Sequence, residues 1–192
     1  MSILRNVRKY LRWTALAPVR LVYLSREVEK LNVAVGAMLV DRQMRDLEEQ
    51  IGAGSLDLGR FERRVLSQGG EDGVLQLLTR LVPIRHRVFV EFGVEDYRES
   101  NTRFLLLSGE WKGLVIEGNT AAVRAINEDP IVQRNPLAVV EHFITAENID
   151  ALIKTRIDED DIGVLSIDVD GNDEGLLAGA LLSERQQRVL RS

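Results

Sequence analysis

Acidic residues crowd the end of one apolar run. Residues 164–173 read VLSIDVDGND and place Asp168, Asp170 and Asp173 within six positions. A carboxylate beside a substrate hydroxyl can accept its proton as a general base. Three carboxylates can instead supply oxygen ligands to Mg²⁺, which would orient and acidify the same hydroxyl. The simplest alternative is a turn in which one of these polar side chains caps a following helix.

Two further acids end predicted strands, Glu91 in VEFG and Glu117 in VIEG. In open parallel sheets, ligands bind beyond the carboxyl ends of the strands. A carboxylate at the end of the second strand suits the two hydroxyls of a ribose, because it offers two oxygens in one plane. Glu117 lies 26 residues after Glu91, which is close to the spacing of roughly 20 residues in a nucleotide-binding βαβ unit.

The loop after the first of these strands reads GVEDYRESN and contains one glycine, Gly93, and three acids, Glu95, Asp96 and Glu99. It differs from the G-x-G-x-x-G pattern, and its charge would repel a pyrophosphate. This argues against a dinucleotide or a nucleotide sugar. A nucleoside with a cationic extension fits better, and S-adenosylmethionine (SAM) is the candidate cofactor.

Apolar runs alternate along the chain between the periods of strands and of helices. The predicted strands are Arg87–Gly93, Gly113–Gly118, Leu137–Ile144 and Asp161–Val169. The predicted helices are Gly73–Leu81, Asn101–Leu107, Thr120–Asn127, Ala146–Thr155 and Glu174–Leu190. This alternation predicts an α/β fold with a parallel sheet and right-handed crossovers. Within the third strand, we expect His142 to be a packing residue.

Residues 1–52 are predicted to form a basic, amphipathic helical segment, separated by the break at Ile51–Gly59 from an α/β domain over 60–192. Apolar residues recur there at alternating spacings of four and three, at Leu24, Val28, Leu31, Val35 and Met38. This seam indicates either a helix packed on its own domain or a short oligomerisation helix. The basic residues of 1–26 form either a solvated face or a peripheral contact with an anionic membrane.

The composition excludes several classes of protein. The chain has 192 residues, 45% of them hydrophobic, a net charge of −5 and no cysteine. Disulfide frameworks and cysteine-based zinc sites are therefore excluded, and a reducing cytoplasm suits the chain. We expect no transmembrane segment, because no apolar run approaches roughly 20 residues. The acidic balance argues against nucleic acid as a partner.

Taken together, six segments resemble the FkbM-type class I SAM-dependent methyltransferases. They occur in family order, as Ser67–Gly73, Val90–Asp96, Asn101–Thr102, Gly113–Gly118, Ala146–Ile149 and Leu165–Asp173. The resemblance covers residues 65–175 and implies a Rossmann-like methyltransferase sheet. It also implies O-methylation of a hydroxyl on a sugar, a glycan or another small natural product.

The same resemblance implies a set of site residues. The cofactor contacts are Glu91 and Gly93 on the methionine side, Glu117 at the ribose, Thr145 and Glu147 beside the adenine, and Asp168. Asp168 and Asp170 would face the reacting methyl group and act in catalysis. With Asp173, they are also the candidate ligands of Mg²⁺.

The chain departs from the family in its predicted strand count. The family sheet has seven strands in the order 3-2-1-4-5-7-6, whereas only four are predicted here before Ser192. We therefore expect an incomplete sheet of about four strands, with the fourth on an open edge. This leaves two functions open, a SAM-dependent O-methyltransferase or a catalytically inactive, truncated relative that acts as a binding or interaction module.

Overall fold

The computed structural model describes residues 19–39, 42, 47, 58–108, 110–159 and 161–167, together with the backbone of 187–191. In these residues the chain forms an α/β fold around one parallel sheet. The strands are β1 (Val88–Phe92), β2 (Lys112–Glu117), β3 (Leu137–Glu141), β4 (Ile162–Ile167) and β5 (Gln187–Arg191). Their order is β3-β2-β1-β4-β5, so β1 is the central strand.

Helices lie between the strands. Residues 19–39 are helical and are called α1. The remaining helices are α2 (Glu71–Leu81), α3 (Arg103–Leu107), α4 (Thr120–Glu128) and α5 (Ile149–Lys154). Short 3₁₀ turns occur at Leu58–Phe61 and Val132–Arg134. The alternation and the parallel pairing confirm the predicted α/β fold with a parallel sheet, with element ends shifted by a few residues.

The sheet is covered on both faces, which explains why its strands are apolar along their length. One face packs residues of α1, α3 and α4 around Phe89, with Trp111 directly before β2. The other face packs α5 against a separate cluster that includes Val90 and Phe92. Since side chains alternate along a strand, Glu91 lies on the same face as Phe89, towards α3.

The fifth strand corrects two sequence-based expectations. The predicted final helix Glu174–Leu190 is wrong over its last residues, because Gln187–Arg191 forms a strand. This strand pairs in parallel with β4, from Ile162 with Gln187 to Ile167 with Arg191. β4 therefore has neighbours on both sides, and the expectation that it lies on an open edge is also wrong.

Helix α1 packs on the α/β domain, although not through the predicted seam. Its contacts are made by Val33, which is buried, and by Gly36, where an added Cβ would lie 3.0 Å from the Val65 side chain. The Glu29 carboxylate approaches the buried Arg103 guanidinium at 3.8 Å. The seam is exposed to solvent instead. None of the described helices is long and apolar enough to cross a membrane.

The Ser67–Gly73 pattern spans the segment before α2 and the first turn of that helix, and the structure explains one of its residues. One oxygen of the buried Asp72 accepts backbone N–H bonds from Val65, Leu66 and Ser67, at 2.8, 2.5 and 2.8 Å. This carboxylate folds residues 65–67 back over the start of α2. The acid therefore stabilises the connection between the N-terminal segment and the sheet.

Gly113 offers a direct test of this packing. A Cβ at position 113 would collide with the ring of the buried Phe89. Because overpacking a rigid core typically costs 1–3 kcal/mol, we predict that Gly113→Ala lowers the free energy of unfolding by about 2 kcal/mol. Urea denaturation measures the effect. Phe89→Leu should make room for the methyl group, so the double variant should be less destabilised than the sum of the single variants. Strictly additive effects would contradict the predicted collision.

Candidate functional site at the carboxyl edge of the sheet

Glu91 is a carboxylate buried at the end of the central strand, with an exposed fraction of 1%. One oxygen accepts the backbone N–H of Thr102 at 3.1 Å and its hydroxyl at 2.5 Å. The other accepts the backbone N–H of Asn101 at 3.0 Å and the Ser166 hydroxyl at 3.2 Å. Four donors thus converge on this side chain, and they tie the loop 93–102 and β4 to the end of β1.

The buried position changes the acidity of this group. Burial raises the pKa of Glu91 from 4.5 to about 7, and the hydrogen bonds from Thr102, Asn101 and Ser166 oppose the rise. Burial also raises the pKa of the neighbouring Tyr97 well above 10.0, and the Glu91 charge adds to that rise. The Tyr97 hydroxyl lies 3.2 Å from the Thr102 hydroxyl, so a buried polar chain runs from Tyr97 to Glu91.

The loop held by Glu91 has an unusual backbone. Gly93, Glu95 and Tyr97 have φ values of 70°, 48° and 63°. The left-handed region suits glycine, but it costs other residues roughly 1–2 kcal/mol each. Tyr97 is fully buried, and its carbonyl accepts a hydrogen bond from Arg103 at 3.1 Å. These contacts of Tyr97 offset the strain and fix the path of the loop.

Glu117 lies at the end of β2, beside this loop, and is half-buried. One of its oxygens accepts the backbone N–H of Glu95 at 3.0 Å, and the other accepts that of Asn119 at 2.8 Å. The Asn119 side chain in turn caps α4 by accepting from Ala121 and Ala122. Glu117 therefore joins the first loop to the start of α4 while part of its carboxylate faces solvent.

The segment after β3 borders the same edge. His142 donates its backbone N–H to the Glu117 carbonyl at 3.0 Å. Phe143 is 79% exposed, and its ring would lie 3.2 Å from a Cβ on Gly118, so the glycine gives the ring room against the backbone. Thr145 and Glu147 follow on this segment, both exposed, and a hydrogen bond from the Thr145 side chain lowers the pKa of Glu147.

The structure brings together five of the predicted site residues at one edge of the sheet, namely Glu91, Gly93, Glu117, Thr145 and Glu147. Asp168, Asp170 and Asp173 lie outside the described residues, immediately after Ile167 of β4 in the sequence. Among the described residues there is no group of three acids or histidines that could hold a metal ion. The proposed Mg²⁺ ligands fall on those three aspartates and stay a prediction.

One expectation is corrected here, and some contacts were missed. His142 does not pack within its strand, because β3 ends at Glu141 and the imidazole is exposed, with Nδ1 2.6 Å from the Phe143 carbonyl oxygen. Sequence reasoning did not anticipate the roles of Ser166 and Tyr97. Ser166 could have been found by its position in the strand beside Glu91. The positive φ of Tyr97 has no sequence signal.

Two cavities lie at the opposite edge of the sheet, near the amino ends of the strands. One of about 460 Å³ lies between α1, α2 and α3, beside Trp111. The other, of about 390 Å³, lies near Arg85 and Pro136. Because parallel sheets bind ligands at the carboxyl ends of their strands, we take the carboxyl edge as the functional site.

Comparisons with protein-family models, with curated proteins and with solved structures find no match to this chain.

The raised pKa of Glu91 predicts a specific pH dependence of stability. Between pH 4.5 and about 7, the folded chain retains a proton that the unfolded chain has released. The free energy of unfolding should therefore fall as pH rises through this window, by about 3 kcal/mol for this group. Urea denaturation from pH 4.5 to 8 of the wild type and of Glu91→Gln measures this, since the variant should lose this part of the slope. Parallel profiles for the two proteins would contradict the assignment.

Proposed function

We propose that this chain binds SAM at the carboxyl edge of its sheet and methylates a hydroxyl of a sugar, a glycan or another small natural product. The observation that carries the proposal is the position of Glu117. Its carboxylate is partly open to solvent at the end of β2, beside a glycine-containing loop at the end of β1. The strand order around it is compatible with a Rossmann-like fold, in which this position suits a ribose.

Glu117 has hydrogen-bonding capacity left for a ribose. Each of its oxygens accepts one backbone N–H, whereas an ionised carboxylate has about four lone-pair positions in all. Two hydroxyls can therefore be bound without breaking the contacts that hold the loop. Glu91 is different, because its oxygens already accept from four donors. We propose that it acts on the methionine side indirectly, by fixing the loop that begins at Gly93.

The exposed ring of Phe143 supports an adenine position. It lies against Gly118, next to Glu117, and an exposed aromatic face can stack on a base. Thr145 and Glu147 lie further along this segment and would flank the adenine, as the resemblance implies. Gly118 contributes by leaving room for the ring.

The charge of this edge favours a cationic ligand. The exposed carboxylates of Glu95 and Glu141 and the half-buried carboxylate of Glu117 lie there. The Asp96 carboxylate is 3.5 Å from the Arg98 guanidinium, and the Glu99 carboxylate is 3.3 Å from that of Arg64. An acidic edge attracts a sulfonium and an ammonium group and repels a pyrophosphate. This supports SAM over a dinucleotide or a nucleotide sugar.

The chemistry proposed for the chain itself is positioning and proton transfer. Bound SAM supplies an electrophilic methyl group. Asp168 or Asp170, following β4, would accept the proton of the acceptor hydroxyl as a general base. If Asp168, Asp170 and Asp173 bind Mg²⁺, the ion would instead orient and acidify that hydroxyl. We propose a cytoplasmic location, which the cysteine-free sequence suits.

A second candidate is a catalytically inactive relative of these enzymes that acts as an interaction module. The observation that favours it is the exposed apolar face of α1, which a methyltransferase reaction does not use. The two functions differ in what they require of the carboxyl edge. The inactive module does not require Glu117 to bind a nucleoside.

Calorimetric titration of the full chain with SAM tests the proposal. We predict binding in the micromolar range and a loss of ten- to a hundredfold in affinity for Glu117→Gln, since hydrogen bonds to a charged group contribute about 1.5–3 kcal/mol. Glu141→Gln is the matched control, because this exposed carboxylate ends the adjacent strand and pairs in register with Glu117. It should bind SAM within about threefold of the wild type.

Circular dichroism must show that each protein is folded. If the folded wild type gives no heat of binding when it is titrated with SAM at two temperatures, this result would contradict SAM binding and favour the interaction module. Equal losses in the two variants would mean that the charge of the edge matters but that Glu117 has no special contact.

A further inference from the structure

Helix α1 carries an uninterrupted apolar stripe on its outer side, here called the α1 seam. Its members are Leu21, Leu24, Val28, Leu31, Val35 and Met38. Each is more than half exposed, from 51% at Val35 to 71% at Met38. Singly exposed apolar residues are ordinary, but a continuous stripe over about two and a half heptads marks an interaction surface.

The domain of the same chain cannot cover this stripe while α1 is docked as it is. The helix is held from its other side by Val33 and Gly36 and by the approach of Glu29 to Arg103. At 100° per residue, the midline of the seam lies about 140° around the helix from these contacts. Burial of the seam against its own domain would therefore require α1 to turn over and lose the contacts of Glu29.

The residue types of the seam favour a parallel pair of helices. Leu21, Val28 and Val35 take the a positions of a heptad, and Leu24, Leu31 and Met38 take the d positions. β-Branched residues at a with leucine at d favour parallel dimers over larger assemblies. Two of the three residues at each position follow this rule.

The flanking positions are compatible with a second copy. In a parallel pair, each g residue faces the next e residue of the partner, so Glu27 faces Asn32 and Ala34 faces Leu39. Neither pair opposes like charges. Two such faces would bury on the order of 1,000 Å², near the lower limit of roughly 1,200 Å² for stable interfaces.

We propose that the α1 seam pairs with the same seam of a second copy in a parallel, two-stranded arrangement. An interface of this size is typical of weak association, so we expect a dimer that forms in a concentration-dependent way. This inference does not depend on SAM binding, because the α1 seam is exposed on the side of the helix opposite its contacts with the domain.

Sedimentation equilibrium of the full chain at 1–200 μM tests the dimer. The wild type should shift from monomer to dimer over this range. Leu31→Glu, at an exposed d position, should raise the dissociation constant at least a hundredfold without unfolding the chain. Val22→Glu is the matched control, since Val22 is exposed on the same helix outside the seam. It should change the constant less than threefold. A wild type that stays monomeric, or a dimer indifferent to Leu31→Glu, would overturn the proposal.

Disulfide trapping tests whether the two helices are parallel or antiparallel. Because the chain has no cysteine, only the introduced thiols can form a cross-link. Met38→Cys should form a covalent dimer with itself if the helices are parallel. In an antiparallel pair, position 38 faces position 21, about 25 Å along the helix. Cross-linking only in a mixture of Met38→Cys and Leu21→Cys would overturn the parallel arrangement. Binding to anionic vesicles in place of dimer formation would overturn the choice of a second copy.

Discussion

The structure depends on one buried carboxylate at the end of the central strand. Glu91 accepts hydrogen bonds from the backbone N–H groups of Asn101 and Thr102. It also accepts one from the hydroxyl of Ser166, which lies on β4. Through Thr102 it fixes the start of α3, whose first residue, Arg103, contacts α1. An unpaired buried carboxylate would be very costly, so this set of donors must form together with the sheet. The loop, the third helix and the docking of α1 thus share one anchor.

This anchor explains how a strained loop can remain in place. Glu95 and Tyr97 have left-handed backbone angles, and strain of this kind persists only where the surroundings determine it fully. Burial of Tyr97 and the contacts of Glu91 and Glu117 at either end of the loop provide those surroundings. Because the loop is already ordered, a ligand that binds beside it loses little free energy to ordering the loop. This favours a binding site at the edge where the acids converge.

Much of the fold follows from sequence patterns, because four strands and four helices after residue 60 are locally periodic and their ends carry acids. The strand Gln187–Arg191 could not be predicted in this way. Its residues include several good helix formers, and pairing with β4 overrides that local preference. The seam of α1 was found from its spacing, but spacing cannot say which side of the helix meets the domain. That depends on Glu29 and Gly36 and on their partners in other elements. The full burial of Glu91 likewise depends on Asn101 and Thr102, which the sequence predicts as the start of a helix and the structure places before α3, where their backbone N–H groups bind Glu91.

The central claim is that a SAM site lies between the first loop and Glu117, on a frame held by Glu91. Titration of the ¹⁵N-labelled chain with SAM, followed by two-dimensional NMR, tests it most directly. The account predicts saturable shifts of the Gly93, Glu95 and Asn119 amides, while the Thr102 amide, which is bonded to Glu91, stays protected from hydrogen exchange. Shifts confined to residues near Trp111, at the opposite edge, or no shifts at all, would contradict it.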